Sequence, residues 1–78
     1  MNLILARNFK TAYEIARSRG LSLHEWKFVL HAEHMYGYQG IPLLIEPGWE
    51  EGRSSERTEE IYAILTRTRL VKEYIHND

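Results

Sequence analysis

Cysteine is absent from this chain of 78 residues, so neither a disulfide framework nor a thiolate zinc site can hold it together. Stability must come from packing, and at this length one domain spanning 1–78 with a small core is expected. The lack of cysteine is compatible with a reducing cytoplasm, the expected location. No apolar run approaches the length that crosses a bilayer, so no membrane partner is expected. Met1-Asn2-Leu3 has no basic region ahead of a long apolar stretch, so no secretory signal is expected either. The formal net charge is only −1, which gives no global field favouring nucleic acid or anionic lipid. Glycine is scarce where phosphate chemistry would need it. Lys10-Thr11 resembles the end of a phosphate-binding loop, but no glycines precede it, and no G-x-G-x-x-G is present.

What the chain does contain is organised around residues 3–20. Leu3-Ile4-Leu5-Ala6 is apolar without alternation, the pattern of a strand covered on both faces, as at the centre of a parallel sheet. After an Arg7-Asn8 turn, Phe9, Ala12, Ile15 and Ala16 recur at helical spacing up to Arg19. Asn8 suits the N-cap and Gly20 the position just past the C-terminus. Ser22 and Glu25 stand in capping-box register and could nucleate one turn. Trp26 to Leu30 reads as a second strand, with Trp26 and Phe28 on one face, Val29 on the other and Lys27 marking an edge. A short helix is expected over His31–Tyr36, then irregular chain through Gly37-Tyr38-Gln39-Gly40. Ile41 to Glu46 supplies a third strand, closed by Pro47-Gly48. Ser54 or Ser55 can cap a long helix from Glu56 to about Ile75, on which Ile61, Ile64, Leu65, Thr68, Val71 and Ile75 share a face. Its acids come early and its basic residues late, as the helix dipole favours, although no glycine marks where the turns from Leu70 to His76 should stop.

The predicted fold is therefore α/β: a half-Rossmann-like βαβαβα unit with a three-stranded parallel sheet in the order 2-1-3 and helices packed on it. Ligands of such sheets meet the C-terminal strand ends. That rim would gather Arg7 and Asn8, His31 and His34, and Glu46, Trp49 and Arg53. Arg7 beside the amides of the first helix could hold an anion. Alternatively it pairs with Glu46 or Glu50 and only steadies the loops, the reading we favour. His31 and His34, with His24 and Glu33, have irregular spacing and no thiolates, so no metal is expected. Ser54 and Ser55 fit as helix caps better than as nucleophiles, and no catalytic residue or cofactor is assigned.

Residues 46–60 hold six acids against two arginines, a side that nucleic acid would avoid. Arg67, Arg69 and Lys72 form a small opposite patch able to give only weak, salt-sensitive nucleic-acid contact. Trp49, Tyr36 and Tyr38 either converge as an exposed aromatic patch or act as lids over a thin core.

Ile4-Leu5-Ala6-Arg7, the Ala12–Ala16 stretch, Arg19-Gly20-Leu21-Ser22, Glu25-Trp26-Lys27-Phe28-Val29 and Glu46-Pro47-Gly48-Trp49 before a terminal helix together resemble small α/β proteins encoded by phages of actinobacteria. The likeness covers most of the chain through short motifs. It implies a virus-encoded protein working in the host cytoplasm, in a family with no assigned activity, and it transfers no catalytic residues. The leading expectation is a non-enzymatic interaction module for a host or viral protein, with a homodimer through edge pairing also open. The alternatives are a degenerate nucleotide- or phosphate-binding domain centred on Arg7 and a weak nucleic-acid binder.

Overall fold

The computed structural model describes residues 1–75. Its elements run β1 (Asn2–Leu5), α1 (Phe9–Ser18), β2 (Trp26–Val29), a 3₁₀ turn (Ala32–Met35), β3 (Pro42–Ile45), α2 (Ser55–Arg67) and β4 (Val71–Tyr74). The strands form one sheet in the order β2-β1-β3-β4, and every neighbouring pair is parallel.

The apolar run in β1 is central, as its lack of alternation predicts. Leu3, Ile4 and Leu5 are fully buried, and the strand pairs on both sides, with Ile4 opposite Phe28 of β2 and Leu44 of β3. Its side chains divide between two layers. Leu3 and Leu5 join Val29, Met35, Leu43, Ile45 and the α2 residues Ile61, Ile64 and Leu65. Ile4 and Ala6 join Leu44 and the small α1 residues Ala12 and Ala16, with Trp26 and Phe28 packed at the margin. The alanines allow α1 to lie close to the sheet. The sheet is thus covered on both faces, as parallel sheets require.

Local signals fix the ends of α1. The Asn8 side chain accepts the Thr11 N–H at 2.8 Å, satisfying one orphan donor of the first turn. At the other end the Leu21 N–H bonds the Ala16 carbonyl and the Gly20 N–H bonds that of Arg17. These two bonds make a Schellman ending, with Gly20 at φ +66°. The Ser22 hydroxyl accepts the His24 N–H and its carbonyl accepts those of Glu25 and Trp26, so one turn leads directly into β2, as the register of Ser22 with Glu25 suggests.

Two expectations are corrected here. The sheet has four strands, not three, and the long helix over 56–75 ends at Arg67. Thr68 is extended at ψ 152°, and its hydroxyl bonds back to the Ile64 carbonyl at 2.9 Å, a side-chain bond that competes with continued helix. The chain then returns to the sheet, and Val71–Tyr74 pairs with Pro42–Ile45. Thr68, Val71 and Ile75 continue the helical spacing by coincidence. In the structure Leu70 packs in the α2 layer and Ile75 in the α1 layer, a division that extended chain achieves and one helix face does not. His76, to which the expected helix end extended, lies outside the described residues.

Candidate functional site

Strand order reverses between β1 and β3. From β1 the chain passes through α1 to β2 on one side, and from β3 through α2 to β4 on the other. In doubly wound sheets the crevice beyond the strand ends at this reversal is where ligands bind. Here it is filled by the chain itself.

Glu46 directly follows β3, and its N–H bonds the Leu5 carbonyl, so the backbone holds it at the mouth of the crevice. It is the one buried charged residue among those described, at 5% exposure. One carboxylate oxygen, Oε1, accepts the backbone N–H of Arg7 at 3.0 Å and the Arg7 Nε–H at 3.1 Å. The outer end of the guanidinium, Nη1, meets Glu51 Oε2 at 2.7 Å. The hydrogen bond and charge of Glu46, helped by Glu51, hold the Arg7 guanidinium above its ordinary pKa. Arg7 is therefore engaged as the loop-steadying reading expected, with Glu46 and Glu51 rather than Glu50. Glu50 turns the other way and accepts the Tyr62 hydroxyl at 3.0 Å.

Gly48 makes this arrangement possible. Its φ of +91° is a conformation that side chains disfavour, and a Cβ there would stand 3.2 Å from Arg7 Nη2. Gly48→Ala is expected to cost about 1–2 kcal/mol from backbone strain and displacement of the guanidinium. Urea unfolding measures this, and a neutral result would exclude the close approach.

Trp49 is a core residue at 4% exposure, not part of an exposed aromatic patch. It packs with the α2 layer, and its ring centroid lies 5.0 Å from that of Tyr62. Arg53 covers it with the guanidinium 5.6 Å from the ring centre, donating to the Trp49 carbonyl and to the Val29 carbonyl at 3.2 Å. Arg53 thus ties the loop after β3 to the end of β2. Burial lowers its pKa, with Glu46 and Glu50 opposing that shift. Tyr38 closes the same core from the side, whereas Tyr36 is exposed. The three aromatics do not converge.

His31 and His34 serve local structure. His34 Nδ1 accepts the N–H of Leu30 and, at longer range, that of His31. His31 Nδ1 lies 2.7 Å from Arg57 Nη1 and accepts from it. An open cleft of about 420 Å³ lies beside this pair, lined by His31, Glu33, Tyr36, Ser54, Arg57 and Glu60 among others. It is separate from the Arg7 cluster. Among the described residues no group of three His, Asp or Glu side chains is placed to hold a metal ion. Of the seven expected rim residues, Arg7 and Glu46 close the crevice between β1 and β3, Trp49 is core, Arg53 ties its loop to the end of β2, Asn8 is the α1 cap, and His31 and His34 organise the turn after β2.

The hydrogen bond to Glu50, with lesser contributions from burial and charge, raises the Tyr62 phenol above its ordinary value. A raised folded pKa means stabilisation that is complete below about pH 10 and lost as pH rises through the folded value. Tyr62 is expected to ionise late in an alkaline NMR titration, and Glu50→Gln to move it back. A Tyr62 transition unchanged by that substitution would contradict the bond.

Sequence reasoning missed β4 altogether, and with it the open side of the sheet. Val71-Lys72-Glu73-Tyr74 is exposed at every position. The available signal was the cluster of β-branched residues Thr66, Thr68 and Val71, which lowers helix propensity where the helix stops.

The two sheet edges differ. The Asn2 N–H bonds the Glu25 carbonyl, so alternation turns the backbone groups of Trp26, Phe28 and Leu30 outward from β2. Two of those N–H groups are already used, Trp26 by the Ser22 carbonyl and Leu30 by His34 Nδ1. On β4 the N–H groups of Val71 and Ile75 bond Ile41 and Ile45 of the β3 segment. The N–H and C=O groups of Lys72 and Tyr74 therefore point away from the sheet, where no further strand lies among the described residues.

No protein family model, curated protein or solved structure matches the chain. No helix among the described residues is long and apolar enough to cross a membrane.

Proposed function

We propose that the protein is a non-enzymatic interaction module that recruits another protein by lending β4 as the free edge of its sheet. The observation that carries this is the contrast between the edges: β2 has two of its three outward donors capped, those of Trp26 and Leu30, while β4 presents those of both Lys72 and Tyr74 on a strand exposed at every position. An unpaired edge is a template for strand addition, and backbone hydrogen bonds supply affinity in that mode. Following the resemblance to actinobacterial phage proteins, the partner is a host or viral protein and the setting the host cytoplasm.

The phosphate-binding alternative has less support, because the Arg7 guanidinium is neutralised by two carboxylates where an anion would sit. Tyr74→Pro tests the edge directly. Its N–H faces outward, so proline there removes an edge donor without removing a bond to β3. Wild type and variant, with folding checked by circular dichroism, are used in parallel to capture protein from actinobacterial lysate. The variant is expected to lose the partner; the same partner retained equally by both forms would refute strand addition.

A further inference from the structure

Resting on that reading, we infer that the strand received by β4 is an extended segment of a different protein bearing acidic side chains on alternate residues, and not a second copy of this chain. Three exposed cations lie on the chain that leads into and forms the open edge: Arg67 ends α2, Arg69 precedes β4 and Lys72 lies within it. Among the described residues none of them reaches a carboxylate within ion-pair distance. The acid on β4, Glu73, is already engaged, with Oε2 3.7 Å from Arg19 Nη1 of the α1 region. Lys72 and Tyr74 share the α2 face with Leu70, and Val71 and Glu73 the α1 face with Ile75. A strand laid along β4 with acids on the α2 side would place a carboxylate opposite Lys72, and apolar residues on the α1 side would meet Val71, which is 59% exposed.

Self-pairing meets the opposite electrostatics. Two copies joined antiparallel about a two-fold axis normal to the sheet keep the same face upward, so each residue must oppose one of equal parity. One register centred on β4 sets Lys72 against the Lys72 of the second copy. The next sets Glu73 against its own equivalent, beside the Arg19 pair. Like charges directly opposite on adjacent strands repel, and both central registers carry such a pair. A foreign acidic strand meets neither penalty.

The test uses two blocked hexapeptides, one alternating Glu and Val and one alternating Lys and Val, titrated into the ¹⁵N-labelled protein at low salt. The acidic peptide is expected to shift the Lys72 and Tyr74 amide signals, and to bind about tenfold more tightly than the basic one. Lys72→Glu is expected to reverse that order, and Tyr74→Pro to abolish binding of both. Equal binding of the two peptides at β4 would overturn the acidic preference and leave the edge reading standing. Shifts elsewhere with β4 silent would overturn both. A concentration-dependent dimer by sedimentation, with β4 at its interface, would overturn the choice of a foreign strand.

Discussion

Replacing Trp49 by alanine is expected to cost about 3–5 kcal/mol, the loss typical of a large aromatic removed from a packed core. The residue is buried at 4% exposure between the α2 layer and Tyr62, with Arg53 across its face. A domain of this size has a total stability of about 4–12 kcal/mol at ordinary stability per residue. The variant should therefore sit near the unfolding limit, with Tm lower by about 15–30 °C. Trp49→Phe keeps most of the apolar contact and should lose roughly half as much or less. Thermal unfolding followed by circular dichroism measures both. A loss below about 1 kcal/mol for the alanine variant would mean that the loop after β3 is not part of the core.

The second large effect concerns Arg7 and Glu46, and its order runs against residue exposure. The Arg7 side chain is 37% exposed and that of Glu46 only 6%. In Glu46→Ala the orphaned guanidinium keeps Glu51 and can recover water, so the cost is about 2 kcal/mol, largely from two lost hydrogen bonds. In Arg7→Ala the carboxylate stays buried with one backbone donor and no ion-paired countercharge, and the cost is expected to exceed that of Glu46→Ala, because a buried charge loses its partner. Removing the more exposed residue is thus the more damaging change. The double variant should lose less than the sum by about 1 kcal/mol or more, because the interaction is removed in either single step. Urea unfolding of the four proteins completes the cycle. A neutral Arg7→Ala would show that the pair holds nothing in place.

The first half of the fold was legible because its signals are local. Four apolar residues without alternation, an asparagine cap, small residues on one helix face and a terminal glycine all specify the β1–α1 unit before any long-range contact forms. The place of β1 between β2 and β3 follows from them. β4 was not legible, because its pairing with β3 is non-local and its own four residues are all exposed, with no buried face to mark a strand. The continued spacing through Thr68, Val71 and Ile75 disguised extended chain as helix. At the rim, an acid partner for Arg7 could be anticipated from charge alone. Whether Glu50 or Glu51 completed the cluster could not, because adjacent residues of one turn point in different directions and only the geometry at Gly48 decides between them. Trp49 admitted two readings for a similar reason: an aromatic residue in a polar loop looks exposed until Tyr62 and Arg53 arrive from elsewhere in the chain.

The carboxylate between β1 and β3 behaves as a guest that never leaves. Attached to the backbone one residue beyond β3, Glu46 competes at the effective concentration of a tethered group, which for short tethers reaches millimolar and above. Dissolved anions enter that contest at a disadvantage set by covalent connection. Opening the crevice to small molecules would therefore begin with deleting an acid rather than with building a new pocket.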